Sequence, residues 1–389
     1  MKIAIVHEML IKLWGAERVL LELMKMYPEA DVFTLMYDSS KVGSVFPKNR
    51  IWCNTPAQTL FSLTGKPRLS LPLMPASVKK IDLTGYDLVL SSSSGFAHGV
   101  LLDTARPYAT HICYCHSPAR YLWDATEEVQ KEIGVVADEH QKNNFLQTLK
   151  VSLGGPLVKN LFERLRVWDK EAAKRPHLYI ANSAEVHKRI TAYYQRDSLI
   201  LWPPVETSQF ILGPIPVSQR QYYVVTSALT PFKHVDRVVR VMTKLGLPLK
   251  IIGDGAQKSE LQKIAGKNVE FLWRISDEEV IKTYTNARGF LMPQKEDAGI
   301  APLEAMAAGV PVFGLAQWGL LESSIDGVTG RFFHEETDES FESWFQDFHR
   351  EIGEKKYDNG AVFQEHVKKF DTKNFRQEFE RIVQEHWKG

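Results

Sequence analysis

The chain has 389 residues, of which 44% are hydrophobic and 24% are charged, and 48 Lys and Arg balance 47 Asp and Glu. This length exceeds one ordinary hydrophobic core and predicts two domains of a soluble globular protein. A net charge of +1 excludes the overall basic character of a nucleic-acid-binding protein. Three cysteines are too few for a disulfide framework or a zinc cluster, and predict a reducing, cytoplasmic compartment.

The first half of the chain alternates short β-rich segments with amphipathic helical patterns. This alternation predicts parallel sheets covered by helices on both faces. Residues 2–7 predict a buried first strand, and 16–26 predict the helix that follows it. Further strands are predicted at 31–37, 86–93, 110–116, 177–183 and 198–204.

A second series of strands is predicted at 221–229, 249–255, 269–273, 289–293, 310–314 and 329–333. The proline-rich segment "WPPVETSQFILGPIPVSQR" between the two series is typical of a linker. We therefore predict two doubly wound Rossmann-like domains, residues 1–205 and 206–370, with an active site between them at the carboxyl ends of the strands. Residues 371–389 contain a strongly periodic amphipathic helix, which either crosses back to the first domain or packs on the second.

The segment "EDAGIAPLEAMAAGVPVFG" (296–314) predicts a loop and then a helix with Pro302 near its first position and Gly309 just past its end. Ala301 stands where a capping Ser, Thr, Asp or Asn is expected, so the first amides of this helix form a natural anion site. Glu304 is predicted in the first turn, where a carboxylate is favourable. By themselves these residues are better explained by a solvated helix start in which Glu304 complements the helix dipole.

Three other candidate residues lie where a predicted strand ends and the chain leads into a helix. Lys233 is predicted in the first turn of a helix capped by Thr230, where a cation opposes the helix dipole unless an anion is near. Gly15 begins a helix without a strong capping side chain, and His116 ends a strand. The alternatives are a solvated surface lysine and a core or turn histidine.

The motifs that carry a family resemblance are "GAERVLLEL", "YDLVLSSSSGFAHGV", "CYCHSPARYLWD", "YIANSAEVHKRITAYYQRD", "PPVE", "LTPFKHVD", "IIGDG" and "EDAGIAPLEAMAAGVPV". In this order and spacing they resemble the retaining, nucleotide-sugar-dependent group-1 glycosyltransferases with an E-x7-E motif. That resemblance implies the GT-B fold, two Rossmann-like domains facing across a cleft. Within the family the chain is most similar to bacterial transferases that build lipopolysaccharide and other surface polysaccharides, many of them mannosyltransferases.

The resemblance implies roles for individual residues of the second domain. Glu304 is expected to bind the ribose hydroxyls, and the catalytic Glu296 is expected to lie beside the donor sugar. The backbone of the donor-binding loop contacts the sugar and the diphosphate, and it is formed by Ala298, Gly299, Ile300 and Ala301. The catalytic Lys233 neutralises the departing diphosphate.

In the first domain the resemblance implies that the catalytic His116 reaches the donor sugar and phosphate. Gly15 and Ala16 approach the diphosphate through their backbone. The expected reaction is hexosyl transfer, with GDP-mannose as the leading donor and a glycan or lipid-linked acceptor. The family is described as transferring by front-face substitution, without an obligatory metal or cofactor, and no D-x-D motif occurs in the chain.

Three positions depart from the family pattern, with Ala228 in place of an arginine and Trp14 and Trp273 in place of glycines. Arg274 is the donor-binding candidate that replaces the missing phosphate contact, and Arg288 is another. These departures motivate a second hypothesis, a catalytically impaired homologue that binds a glycan or a partner protein. A related epimerase or phosphorylase ranks last.

Residues 141–175 carry eight Lys and Arg against three acidic residues, interspersed with apolar ones. This composition fits a helix lying on an anionic bilayer, with the protein peripheral at the inner face of the cell membrane. An ordinary helix with a solvated basic face explains it equally well.

Overall fold

The computed structural model describes residues 1–13, 15–124 and 145–387. The chain divides into two compact units, Met1–Leu201 together with Gln377–Gly389, and Trp202–Arg376. Each unit is built around a sheet in which every pair of neighbouring strands is parallel. The predicted α/β class with two Rossmann-like units is thereby confirmed.

In the described part of the first unit the strands are β1 (Ile3–Leu10), β2 (Asp31–Tyr37), β3 (Ile51–Trp52), β4 (Leu88–Ser93), β5 (Thr110–Cys115), β6 (Leu178–Ala181) and β7 (Leu199–Ile200). They lie in the order β3-β2-β1-β4-β5-β6-β7. The helices are α1 (Gly15–Met26), α2 (Ser39–Val42), α3 (Pro56–Thr64), α4 (Met74–Lys80), α5 (Arg120–Trp123), α6 (Phe145–Ala172) and α7 (Ala184–Arg189).

In the second unit the strands are β8 (Tyr222–Thr226), β9 (Leu249–Ile252), β10 (Val269–Trp273), β11 (Ala287–Met292), β12 (Val312–Leu315) and β13 (Gly330–Phe333). They lie in the order β10-β9-β8-β11-β12-β13. The helices are α8 (Val235–Leu245), α9 (Lys258–Ile264), α10 (Asp277–Thr285), α11 (Ile300–Ala307), α12 (Gly319–Ser323), α13 (Asp338–Gly353) and α14 (Gly360–Val367). The predicted C-terminal helix is present as α15 (Thr372–His386).

Each sheet has one point at which the strand order reverses. β1 has β2 on one side and β4 on the other, and β8 has β9 on one side and β11 on the other. Doubly wound sheets bind ligands outside the carboxyl ends of the strands at such a switch point. The fold therefore favours the ends of β1 and β4, and of β8 and β11, as functional positions.

The inner strands of the two sheets are nearly continuous apolar segments in the sequence because their residues are buried. Every residue of β4 and β5 is buried, as expected for inner strands of a parallel sheet with both faces covered. All the predicted strands are present, with ends that differ by a few residues. The sequence did not predict β3, because two residues carry no periodicity.

The predicted membrane-binding segment falls partly outside the described residues, which exclude 125–144 and the side chains of 145–155. In the described part of α6, Phe162, Leu165 and Ala172 are buried against the first unit, and Val167 is the exposed large apolar residue. This part matches the alternative of an ordinary packed helix.

The basic residues near the end of α6 also have local partners. Arg166 donates to the Leu122 carbonyl, and Arg175 donates to the Gly99 carbonyl. Among the described residues, no helix is long and apolar enough to cross a membrane.

Candidate functional site

Lys233 and Glu296 meet at the switch point of the second sheet. Lys233 follows β8 and Glu296 follows β11, and these two strands are direct neighbours. The Lys233 Nζ and the Glu296 Oε1 form a short ion pair, and Gln294 Nε2 donates to the same oxygen over 3.0 Å. The side chains are 13% and 25% exposed, so the pair is shielded yet open to a ligand. Lys233 and Glu296 were both predicted as site residues, but the sequence did not show that β8 and β11 are neighbours and bring the two side chains together.

The predicted local structure around Lys233 is wrong. Pro231–Lys233 forms a separate 3-10 turn, and His234 adopts φ 49° before α8 begins at Val235. The Thr230 side chain caps no amide. Lys233 therefore does not oppose the dipole of α8 from its first turn, and its charge is balanced by Glu296 instead.

The predicted uncapped helix start is confirmed at α11. Gly299 occupies the N-cap position with φ 72° and ψ 90°, and no side chain caps the helix. A positive φ of this kind favours glycine, because a Cβ would be strained there. The first backbone N–H groups of a helix have no partner within it, so the amides beginning at Ile300 can meet an anion.

The helix α11 begins at Ile300, two residues before Pro302, so the predicted start was late. Glu304 therefore lies in the second turn, and its predicted place in the first turn is wrong. Its side chain is buried, with 6% of the residue exposed. Ala298 is buried too, Ala301 is half-buried, and Gly309 ends the helix with φ 73° as predicted.

Gly319 supports the loop between β11 and α11, and sequence reasoning missed it. Its N–H donates to the Glu296 carbonyl over 3.0 Å. A Cβ at this position would lie 2.6 Å from the Asp297 carbonyl oxygen, so the loop packs directly on the glycine backbone. Glu296 is therefore anchored through its main chain while its carboxylate faces Lys233.

Several polar atoms near these strand ends lack hydrogen-bond partners among the described residues. They are Thr226 Oγ1 at the end of β8, Thr230 Oγ1 in the following loop and Gln294 Oε1 after β11. Buried polar atoms are normally paired, and a ligand with hydroxyl groups would satisfy them. The sequence analysis did not predict Gln294 as a site residue, although a polar residue just after a predicted strand is a signal for one.

The departures from the family pattern have local structural consequences. Trp273 ends β10 with φ 55°, a left-handed conformation that costs about 1–2 kcal/mol for a non-glycine residue. Its ring stacks on Phe271 with 4.8 Å between centroids, and Lys258 Nζ lies 3.7 Å from the ring centroid. These contacts offset the strain and hold the indole in place. Trp14 lies outside the described residues.

The two arginines proposed as substitutes for the missing one lie in different places. Arg274 follows β10, its side chain is 77% exposed, and its Nε lies 3.7 Å from an Asp254 carboxylate oxygen. Arg288 lies near the start of β11 and donates to the Ser218 and Arg220 carbonyls. Only Arg274 is therefore at the carboxyl end of the sheet.

In the first unit, His116 belongs to a chain of polar contacts at the other switch point. His116 Nε2 lies 2.8 Å from Ser92 Oγ, which lies 3.0 Å from His7 Nδ1. His7 Nε2 in turn lies 3.7 Å from Glu17 Oε1. Register places His7 directly opposite Ser92 on β1 and β4. Sequence reasoning found His116 but missed the other three residues.

Glu17 lies in the first turn of α1, the helix that begins at Gly15 and Ala16. The predicted start at Ala16 was one residue late. The contact chain therefore links His116 to the helix whose first amides are the predicted diphosphate contacts. Ser92 and His116 lie at the carboxyl ends of β4 and β5, and His7 is paired with Ser92 from within β1.

Burial, and to a smaller extent the neighbouring His7, lowers the pKa of His116 to about 3. His116 is therefore neutral at pH 7, with one ring nitrogen able to donate and the other able to accept. The Asn182 amide donates to the His116 carbonyl over 2.9 Å and fixes the backbone.

Replacing His116 with glutamine is expected to make the protein less sensitive to acid. The unfolded histidine, with a pKa near 6.5, binds a proton as the pH falls, whereas the folded one does not until about pH 3. Stability is therefore lost below pH 6.5, by about 1.4 kcal/mol per pH unit for this group. Between pH 7 and 5, the variant should lose about 2 kcal/mol less unfolding free energy than wild type, measured by urea denaturation.

Ser198→Ala at the His187 contact is the control, since it removes a serine–histidine bond at 2.9 Å without removing an imidazole. Identical acid dependence in wild type and His116→Gln would show that His116 is not held neutral by the fold.

Comparison with known proteins gives three findings. Residues 214–351, within the second unit, match the family model "Glycosyl transferases group 1". A GDP-mannose-dependent monoacylated alpha-(1-6)-phosphatidylinositol monomannoside mannosyltransferase of Corynebacterium glutamicum is 33% identical over 113 residues, 25% of this chain and 30% of that protein. The sulfoquinovosyl transferase SQD2 of Arabidopsis thaliana is 23% identical over 283 residues, 68% of this chain and 50% of that protein.

Among solved structures, the Anabaena protein HepE in complex with UDP superposes with a TM-score of 0.70 at 15% identity, covering 99% of this chain and 100% of that one. This likeness confirms the predicted GT-B fold class. The matches to the two curated relatives span 30% and 50% of those proteins' lengths.

Proposed function

We propose that this protein is a hexosyltransferase that moves a sugar from a nucleotide sugar to a glycan or lipid-linked acceptor, with retention of configuration. The observation that carries the proposal is the Lys233–Glu296 ion pair at the switch point of the second sheet, beside the uncapped start of α11. A cation and a set of free amides side by side suit a diphosphate.

Donor binding would exchange one set of contacts for another. The diphosphate takes Lys233 from Glu296 and accepts hydrogen bonds from the amides beginning at Ile300. The freed Glu296 carboxylate, with Gln294, accepts hydrogen bonds from sugar hydroxyls. The ion pair thus holds both side chains in place until the donor arrives, which lowers the cost of ordering them.

In the reaction the bond between the anomeric carbon and the phosphate oxygen breaks, and a bond from the acceptor oxygen to that carbon forms on the same face. The acceptor's proton passes to the departing phosphate oxygen. Negative charge builds on the diphosphate, and Lys233 with the α11 amides stabilises it. Glu304 is assigned to the ribose hydroxyls, and Ala298 to Ala301 to the sugar and diphosphate, as the family resemblance implies.

For the first unit the proposal keeps the implied role of His116, contact with the donor sugar and phosphate. A neutral imidazole suits hydrogen bonding to a sugar hydroxyl. Gly15 and Ala16 are assigned to backbone contact with the diphosphate, and Arg274 to an additional phosphate contact.

GDP-mannose is the leading donor, supported by the corynebacterial relative and by the resemblance to mannosyltransferases.

The decisive experiment incubates wild type, Glu304→Gln and Glu342→Gln with GDP-mannose, UDP-glucose and ADP-glucose, and measures nucleoside diphosphate release. Glu342, which pairs with Lys244 at 2.8 Å on the surface of the same unit, is the matched control. Loss of turnover only in Glu304→Gln supports the proposal, and equal turnover in all three proteins would contradict it. The coupling constant of the product's anomeric proton in NMR reports retention or inversion.

We further propose that transfer needs no bound metal. Chelation with EDTA is then expected to leave the transfer rate unchanged, because Lys233 and backbone amides supply the charge that a metal would otherwise supply. Rates are compared before and after dialysis against EDTA, with Mg²⁺ re-added as the control. A loss that Mg²⁺ restores would contradict this part of the proposal.

The second candidate is an impaired homologue that binds a glycan or a partner protein. It is favoured by Ala228 in the loop after β8 and by the fixed Trp273 indole at the end of β10. Calorimetry with GDP, UDP and ADP separates the candidates. No heat of binding at millimolar nucleotide would favour the impaired homologue.

A further inference from the structure

Besides residues 141–175, the first unit contains a second strongly basic segment, which has no acidic residue at all. Residues 39–81 contain seven Lys and Arg and no Asp or Glu. The remaining 346 residues carry 41 Lys and Arg against 47 Asp and Glu. A protein with a net charge of +1 therefore has a strongly cationic segment on an otherwise acidic body.

Within this segment three short helices are linked to one another by hydrogen bonds, and together they form what we call the corner. They are α3, the 3-10 helix Pro67–Leu73 and α4. The Ala57 N–H donates to Ser77 Oγ over 2.9 Å, and Ser70 Oγ donates to the Ala57 carbonyl over 3.1 Å. The backbone of Ala57 thus links α3 to the 3-10 helix and to α4, which holds the three helices of the corner in place.

The turn Leu63–Leu69 joins α3 to the 3-10 helix, with Gly65 at φ 64°. Leu63 is 80% exposed and Leu69 is 52% exposed, and the cationic Lys66 and Arg68 between them are exposed as well. Two largely exposed leucines thus flank two exposed cations on this turn.

We propose that this turn, with the cations around it, is a docking surface for an anionic lipid bilayer. The leucines enter the boundary between headgroups and acyl chains while the basic side chains remain at the phosphate level. Lys79 and Lys80 of α4 are exposed and add to the charge that faces the lipid. Each basic residue near an anionic surface strengthens adsorption about fivefold.

A bilayer fits this surface better than two other occupants. A second copy of the chain would bring the same cations face to face across a symmetric interface. A nucleic acid would use the cations but gain little from the exposed leucines.

The position of the turn gives the contact a function. Arg68 lies near Lys12, which follows β1, and its charge contributes to lowering the pKa of Lys12 to about 8, mainly an effect of burial that Glu17 opposes. Glu17 belongs to the contact chain of His116. The docked bilayer would therefore lie beside the carboxyl end of the first sheet, where a lipid-carried acceptor would be presented. The surface itself does not rest on the proposed transferase activity.

The test is co-sedimentation of the full chain with vesicles of phosphatidylcholine alone and of equimolar phosphatidylcholine and phosphatidylglycerol. Wild type is expected to bind only the phosphatidylglycerol vesicles, and to release them in high salt because exposed charges are screened. Leu63→Ser/Lys66→Glu is expected to lower the partition coefficient at least tenfold, and Leu63→Ser alone to lower it by a smaller factor.

Ile264→Ser/Lys267→Glu is the matched control, with the same chemistry and the same spacing on the second unit, where Ile264 is 40% exposed. This control should bind as wild type does. Equal binding of wild type to both vesicle types, or equal weakening in the two double variants, would overturn the proposal. Binding to heparin that weakens with Lys66→Glu but not with Leu63→Ser, without vesicle binding, would overturn it in favour of a soluble polyanion.

Discussion

Lys233→Ala is expected to lower kcat for transfer about 10²–10³-fold, the typical loss when one preorganised donor to a developing anion is removed. The reason lies in the charge balance at the switch point. Without Lys233 the Glu296 carboxylate loses the cation that balances it, and it then repels the diphosphate that the site must stabilise. The measurement is the initial rate of nucleoside diphosphate release at saturating donor, together with KM.

The control for this variant is Lys250→Ala. Lys250 also belongs to a Lys–Glu pair, with Glu270 at 3.3 Å. Its Nζ lies 4.5 Å from the ring centroid of Tyr222, as the Lys233 Nζ lies 5.4 Å from that of Phe232. Lys250 is near the amino end of β9, away from the carboxyl ends of the strands, so its removal should leave kcat unchanged. Lys233→Ala/Glu296→Gln should recover part of the loss, because it removes the uncompensated carboxylate. A Lys233→Ala enzyme with wild-type kcat would rule out the leaving-group role.

The positions of the strands along the chain were predictable because parallel strands are buried on both faces and appear as apolar runs. β4 and β5 show this well, since every residue of both is buried. The start of α11 was harder to locate. Neither Ile300 nor Ala301 has a capping side chain, and Pro302 is tolerated throughout the first turn of a helix, so the pattern could not locate the first residue.

The local structure at Lys233 could not be read from the sequence for a different reason. His234 takes a left-handed conformation, which only a few per cent of non-glycine residues adopt, so even the enrichment of histidine there does not mark this position in the sequence. The Pro231–Lys233 turn is therefore separated from α8, although Thr230-Pro231 looks like an ordinary helix start. The ion pair with Glu296 joins residues 63 positions apart and depends on the adjacency of β8 and β11.

The contacts behind His116 depend on strand register. His7 and Ser92 are 85 residues apart and meet because β1 pairs with β4 in a single register. The run of three serines that ends β4 had no evident role in the sequence. In the fold, Ser91 contacts His111 at 2.8 Å and Ser92 contacts both His7 and His116. A register shift by one residue would turn these hydroxyls to the other face of the sheet.

The structural contacts of His116 lead to a second large expected effect. His116→Ala should lower kcat for transfer about 100-fold, the scale of a lost positioned hydrogen-bonding group. Ser92→Ala should lower it about tenfold, since it keeps the imidazole but removes the contact that orients it. The measurements are kcat and KM for transfer, with the affinity for the free nucleotide from calorimetry.

His116→Ala tests whether the histidine contacts the substrate, and Ser92→Ala tests whether the serine positions that histidine. Ser92→Thr keeps the hydroxyl and is expected to retain most of the activity, whereas a purely structural role of Ser92 would lower the unfolding temperature of both serine variants alike. Ser91→Ala is the control, since Ser91 is the neighbouring buried serine and contacts His111 rather than His116. If Ser91→Ala lowers kcat as much as Ser92→Ala, the contact chain from Glu17 to His116 does not orient the imidazole. If His116→Ala keeps its kcat, the histidine does not act on the donor, and the neutral imidazole serves the fold alone.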